Sequence, residues 1–181
     1  MKNKKYLAIP MVIMLGMLVL SLPSATTPVN SGSSLKYDGV VCVYKNNQLV
    51  ECKHNLITNV GLNAIKTQLG VGTPFTQITN ISVANATGAV QAATDTTLTG
   101  EWKSCGLAGQ GGTYVNQAGN GQWNITYQWT VAGTGCADIL VNATGLYNAT
   151  GASQLFAEVG FTAVTLQTND KINVTWGLVV S

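Results

Sequence analysis

The sequence has no arginine, one histidine (His54) and charge on only 9 % of its 181 residues. Each shortage removes a class of function. Phosphate backbones are gripped by clusters of Arg and Lys. Three of the nine Lys (Lys2, Lys4, Lys5) fall in the first five residues. Without that leader, six Lys face seven acidic residues and the net charge moves from +2 to −1. Nucleic acid is therefore not an expected partner. A lone His without a nearby Ser or Cys nucleophile reads as structural. The four Cys include no C-x-x-C pair, so no zinc site is expected. The stretch GLAGQGG lacks the Lys and the strand–helix setting of a phosphate loop. Asp95 and Asp138 sit in candidate loops, but no run of oxygen ligands surrounds either as a Ca²⁺ loop requires. The carboxylates (Asp38, Glu51, Asp95, Glu101, Asp138, Glu158, Asp170) are scattered, and no two stand out as the pair a glycosidase places across a sugar. The expectation is a protein with no catalytic residue, no metal and no cofactor.

Gly, Thr, Asn and Val dominate instead. With 46 % apolar residues the chain is too hydrophobic for disorder. Its composition favours β-sheet with many turns. The length suits one domain with a core of its own. Residues 1–25 read as a secretory signal peptide: a basic start, an apolar run from Tyr6 to Leu22, then small Ser24 and Ala25. No Lys-Gly or Arg-Gly pair precedes that run, unlike a type IV pilin leader. An extracellular location follows.

Cysteines and sequons agree with export. Four Cys in an exported chain predict two disulfides, with three possible pairings. Cys42 and Cys52 flank VYKNNQLVE, which has the form of a hairpin. A three-residue loop over Asn46–Gln48 sets the two Cys opposite each other, within reach of a disulfide. Cys105 and Cys136 are then paired by exclusion. Six N-x-S/T sequons, at Asn80, Asn85, Asn124, Asn142, Asn148 and Asn173, mark candidate glycosylation sites.

Along the chain, residues 26–37 alternate weakly. Val29, Ser31, Ser33, Leu35 and Tyr37 would share one face of an extended segment. This segment reads either as a flexible stalk or as a strand that completes a neighbour's sheet. After the hairpin, NLITNVGLNAIKTQLG changes period. Val60, Leu62, Ile65 and Leu69 predict one short helix over Val60–Leu69, with Asn59 as its N-cap. Strands are expected at Ile78–Ala84, Leu98–Cys105, Gln122–Ala132, Ile139–Tyr147, Gln154–Val164 and Lys171–Val180. In the last, Ile172, Val174, Trp176, Leu178 and Val180 should face inward. Short strands between Gly- and Asn-rich turns predict an all-β fold: a two-sheet sandwich, Ig-like or jelly-roll-like, over residues 38–181.

The stretches NLITNVGLNAIKTQL, ITNISVANATG, ATDTTLTGEW and GLYNATGASQLFAEVGFTAVTLQTNDKINVTW resemble surface-appendage proteins of phages and archaeal viruses. They are also similar to exported archaeal proteins that build extracellular filaments, such as thread and bundling-pilus subunits. That resemblance implies a sandwich head with an extended N-terminal tail that inserts into the next subunit's sheet. The donor then maps to residues 26–37, with Ser31 and Ser33 in positions that usually prefer larger apolar groups. Other copies of the same chain would be its partners, and adhesion or biofilm contact its purpose. A secreted carbohydrate-binding module remains open, with Trp102, Tyr114, Trp123 and Tyr147 gripping sugar, as does a virion appendage.

Overall fold

A computed structural model describes residues 36–70, 77–148 and 154–181. The predicted leader and most of the tail lie outside them. Ten strands and one helix follow one another: β1 (Tyr37–Lys45), β2 (Gln48–His54), β3 (Leu56–Ile57), α1 (Asn59–Gly70), β4 (Asn80–Ala84), β5 (Gln110–Gly111), β6 (Thr113–Asn116), β7 (Gln122–Thr130), β8 (Ile139–Tyr147), β9 (Leu155–Leu166) and β10 (Lys171–Val180). They form two five-stranded antiparallel sheets. The first has the order β2-β1-β10-β7-β6, the second β3-β9-β8-β4-β5. The protein is an all-β two-sheet sandwich.

Period-two alternation builds its core. On β10, Ile172, Val174, Trp176 and Leu178 are buried, as their alternation predicts. Trp176 stands across from Val41 on β1 and Ile125 on β7. These side chains meet Val141, Phe156, Phe161 and Val164 of the other sheet. Two indoles satisfy their N–H groups at the margins: Trp129 Nε1 donates to Ala108 O at 2.9 Å and Trp102 Nε1 to Leu140 O at 3.0 Å.

A second, smaller core lies on the outer face of the second sheet. The ladder shifts register between Val141 and Ala143, and a bulge of this kind reverses the alternation. Val141 belongs to the main core, whereas Ala143 and Tyr147 pack with Leu155 beneath Ala86 and Leu98. Residues 85–100 thus form a strap across this face. Ala86 N–H donates to Asn142 Oδ1 (2.7 Å) and Leu98 N–H to the Tyr147 hydroxyl (2.8 Å).

Both predicted disulfides are present, Cys42–Cys52 and Cys105–Cys136. The hairpin reaches its pairing by a different route. The turn holds two residues, Asn46 and Asn47, both at positive φ (48° and 68°). Asn tolerates that conformation, which a tight hairpin turn requires. A register shift between Val43 and Tyr44 then restores the Cys42–Cys52 opposition.

The helix also differs from expectation. Its N-cap is Thr58, not Asn59: Thr58 Oγ1 accepts the Gly61 N–H at 3.1 Å and donates to the carbonyl of Leu155. Its buried positions are Gly61 and Ala64, whereas Leu62 and Leu69 are exposed. A Cβ at position 61 would overlap the carbonyl of Phe156, so only glycine allows the helix to lie this close to β9. Small residues set the closest packing, and the apolar stripe is divided: Val60 and Ile65 are half-buried, Leu62 and Leu69 exposed.

The expected strand over Leu98–Cys105 is absent. Its only ladder contact is an isolated bridge from Glu101 to Ala84. Gly100 and Cys105 adopt positive φ (69° and 57°), which interrupts an extended run at both ends. Conversely β3, β5 and β6 form where no strand was expected, β5 within the glycine-rich turn GLAGQGG.

Candidate functional site

At one end of the sandwich the two sheets do not close. The first sheet supplies Tyr37 from β1, Leu178 and Val180 from β10, Trp123 from β7 and Tyr114 from β6. Opposite them stand Phe156 of β9, residues 77–79, and Ala64, Ile65, Gln68 and Leu69 of α1. Between these walls lies a groove of about 610 Å³. Its lining is chiefly apolar and aromatic. Tyr37 crosses its floor edge-on to Trp123 (6.4 Å between ring centres) and to Phe156 (5.4 Å). The Tyr37 hydroxyl is buried with no hydrogen-bond partner among the described residues. Burial drives its pKa well above the ordinary tyrosine value.

The groove borders edge strand β6, which has no further strand partner among the described residues, although Gly112 N–H just before it donates to Thr79 O at 2.7 Å. In β6, Thr113 pairs with Thr126 and Val115 with Asn124. Gln117 N–H donates to Gln122 O at 3.1 Å, in the same phase. By the alternation of an antiparallel ladder, the backbone groups of Tyr114 and Asn116 therefore point away from β7, to the open side. All four β6 residues are exposed, Tyr114 at 55 % and Val115 at 48 %.

The opposite margin is closed. Glu51 Oε2 accepts the Thr162 N–H of β9 at 2.7 Å, and Lys45 Nζ donates to Thr165 O at 2.7 Å. Edge strand β2 also carries Lys53, the Cys42–Cys52 bridge and the register shift. Charges and bulges of this kind discourage strand addition. Edge strands β3 and β5 hold two residues each. Among the described residues, β6 is the margin that joins backbone without a further partner strand to an apolar groove.

Of the predicted donor face, Val29, Ser31, Ser33 and Leu35 lie outside the described residues. Tyr37 does not extend freely: it pairs with Val180 in its own sheet. Lys36 continues that ladder, exchanging hydrogen bonds with Ser181 at 2.7 and 2.9 Å. The sandwich thus begins a residue or two before the predicted boundary at residue 38, and the segment left for donation is 26–35.

The four aromatics, which the sequence allows to be read as core or as sugar-gripping, are divided. Tyr147 is in the smaller core, and Trp102 packs against the main one. Only Tyr114 and Trp123 reach the groove. All six sequon asparagines are partly exposed. Asn124 and Asn173 stand on the outer face of the first sheet, on strands β7 and β10. Asn142 Oδ1 is engaged in holding the strap.

Titratable groups gather elsewhere. His54 Nδ1 lies 3.1 Å from Asp38 Oδ1 at the exposed end of β2. Asp170 is held well below the ordinary carboxylate value, at about 2, by hydrogen bonds from Asn46, Gln167 and Lys45. Glu158, under the strap, is pushed up to about 7 by burial and by its hydrogen bond with Asp95. Among the described residues no carboxylate, His or Lys lines the groove. Its chemistry is that of binding an apolar segment, with backbone pairing available along one rim. Among the described residues no helix is long and apolar enough to cross a membrane. No protein-family model matches this sequence, and no curated protein matches it.

Proposed function

We propose that this chain is a structural subunit of an extracellular surface filament, in which residues 26–35 of one copy complete the first sheet of the next. The observation that carries this reading is the bare β6 edge beside the apolar groove. A strand laid along β6 gains main-chain hydrogen bonds from Tyr114 and Asn116. Its inward side chains enter the groove and set the register. The donor leaves from a suitable place, because Lys36 is paired at the groove-bearing end of β1. Ten extended residues span about 33 Å, enough to reach a neighbouring copy. Donor and acceptor are different surfaces, so the contact does not close on itself and propagates as a fibre. Two disulfides, six sequons and the basic–apolar leader fit an exported, glycosylated, oxidised protein with adhesion or biofilm contact as its role. Such a subunit works without catalysis, metal or cofactor.

Electron microscopy tests the reading. The full chain should form filaments, and a chain lacking residues 26–35 should remain folded and unassembled. Filaments from the truncated chain would end the strand-donation reading. Tyr114 and Trp123 also favour a second reading, a carbohydrate-binding module. Glycan binding by the unassembled head that is lost in Tyr114→Ala would support it.

A further inference from the structure

We infer that the strap over the second sheet is fastened by a proton shared between Glu158 and Asp95, and that this fastening holds α1, one wall of the groove, in place. The inference concerns regulation of the proposed assembly site and rests on that reading for its biological meaning.

Glu158 sits on β9 between Leu56 of β3 and Gly145 of β8 and is 2 % exposed. A single donor, the Ala92 N–H of the strap, reaches both Glu158 Oε1 (3.2 Å) and Asp95 Oδ2 (3.0 Å). Both carboxyl groups are thus gathered at one N–H. Two carboxylates this close cannot both ionise without repulsion, and a hydrogen bond between them needs one proton. The titratable groups facing Glu158 are Asp95 from the strap and Tyr147 from β8. Glu101, beyond the strap, acts on Tyr147 and adds a further negative charge nearby. From β3 come only Leu56 and Ile57. No cation among these offsets the charge that Glu158 would acquire.

The fastening passes directly to the helix. Ala93, next to Ala92, accepts the Asn59 N–H at 2.6 Å. Asn59 is the first residue of α1, and α1 gives Ala64, Ile65, Gln68 and Leu69 to the groove. Losing the shared proton sets two anions against each other at the point where the strap is tied. The bond at Asn59 then loosens with it.

The sign follows from the raised pKa. Folded Glu158 keeps its proton up to about pH 7, whereas an exposed Glu loses it near 4.5. The fastened state is therefore favoured in acid, and the advantage is lost as pH rises from about 4.5 to 7. Full loss corresponds to roughly a 300-fold rise in strap opening, and the part that falls above pH 4.5 to a rise of about a hundredfold.

Amide hydrogen exchange on the full chain from pH 4.5 to 8.5, corrected for intrinsic base catalysis, reads this directly at Ala92, Ala93 and Asn59. Protection should fall by about a hundredfold in the wild type. Glu158→Gln should hold it constant, because the carboxamide keeps a donor toward Asp95 at every pH. Unchanged wild-type protection, or the same fall in Glu158→Gln, would overturn the inference. The two readings fail separately. If protection falls only in the wild type and no filament forms at any pH, the strap stands and the filament reading is lost. If filaments form and protection is flat, the reverse holds.

Discussion

Thr58 is the residue on which the placement of α1 depends, and replacing it by valine removes its hydroxyl while keeping its shape. Thr58 is fully buried. Its Oγ1 accepts the Gly61 N–H in the first turn and donates to the carbonyl of Leu155 on β9. Losing the cap costs about 1 kcal/mol. Leaving the Leu155 carbonyl buried without that donor costs a further 1–3 kcal/mol or so. Valine fills the same volume, so no cavity cost is added. The expected loss is about 2–4 kcal/mol. For a domain of this size each kcal/mol shifts the melting temperature by roughly 2–4 °C, which places the expected drop at about 4–16 °C. Circular dichroism melts of the wild type, Thr58→Val and Thr58→Ser measure it. Serine keeps both hydrogen bonds and loses one methyl, at about 1 kcal/mol. A Thr58→Val protein as stable as Thr58→Ser would refute the assignment of Thr58 as cap and cross-tie.

Other perturbations separate parts of the same account. The Cys105–Cys136 bridge spans 31 residues and Cys42–Cys52 spans 10. Loop-closure entropy makes the first worth about 3.7 kcal/mol and the second about 2.7, so in urea melts Cys105→Ala/Cys136→Ala should destabilise more than Cys42→Ala/Cys52→Ala; the opposite order would contradict this. Tyr114→Pro removes an N–H that faces away from β7, so unfolding free energy should change by less than about 1 kcal/mol while filament assembly is lost. Unchanged assembly in that variant would exclude β6 as the accepting edge. Asp170 has a lowered folded pKa, about 2 against 3.8. Its stabilisation is therefore complete above pH 3.8 and lost as pH falls toward 2. Melting temperature between pH 5 and 2 should decline more gently in Asp170→Asn than in the wild type, and parallel curves would dismiss the effect.

Much of the architecture was readable from alternation. Strands β8 and β10 match their expected limits, because each is an apolar-rich run between turn residues, and β10 alternates along its length. The Cys42–Cys52 pairing was legible from hairpin register, and Cys105–Cys136 followed by exclusion. Readings failed where tertiary packing outweighed local pattern. The Leu62 and Leu69 stripe promised a buried helix face, but close approach to β9 is set by Gly61 and Ala64, which carry almost no hydrophobic signal. The run Leu98–Cys105 looks extended until Gly100 and Cys105 turn to positive φ. Strand β6, in contrast, is short, exposed and embedded in Gly-rich sequence, so nothing local distinguished it from a turn. The groove was not visible in the sequence at all. Its lining comes from β1, α1, β6, β7, β9 and β10, and only the fold brings them together. Tyr114 and Trp123 were singled out as aromatics, but their shared position became apparent only when β6 paired with β7.

Cross-linking between copies of the protein tests the central claim most directly. Every chain carries both Val29→Cys and Leu69→Cys, the latter at the groove rim, half of the chains are isotope-labelled, and mass spectrometry identifies the origin of each linked peptide. The account predicts links that join labelled to unlabelled chains. Links found only within single chains would contradict it, because each groove would then be filled by its own tail.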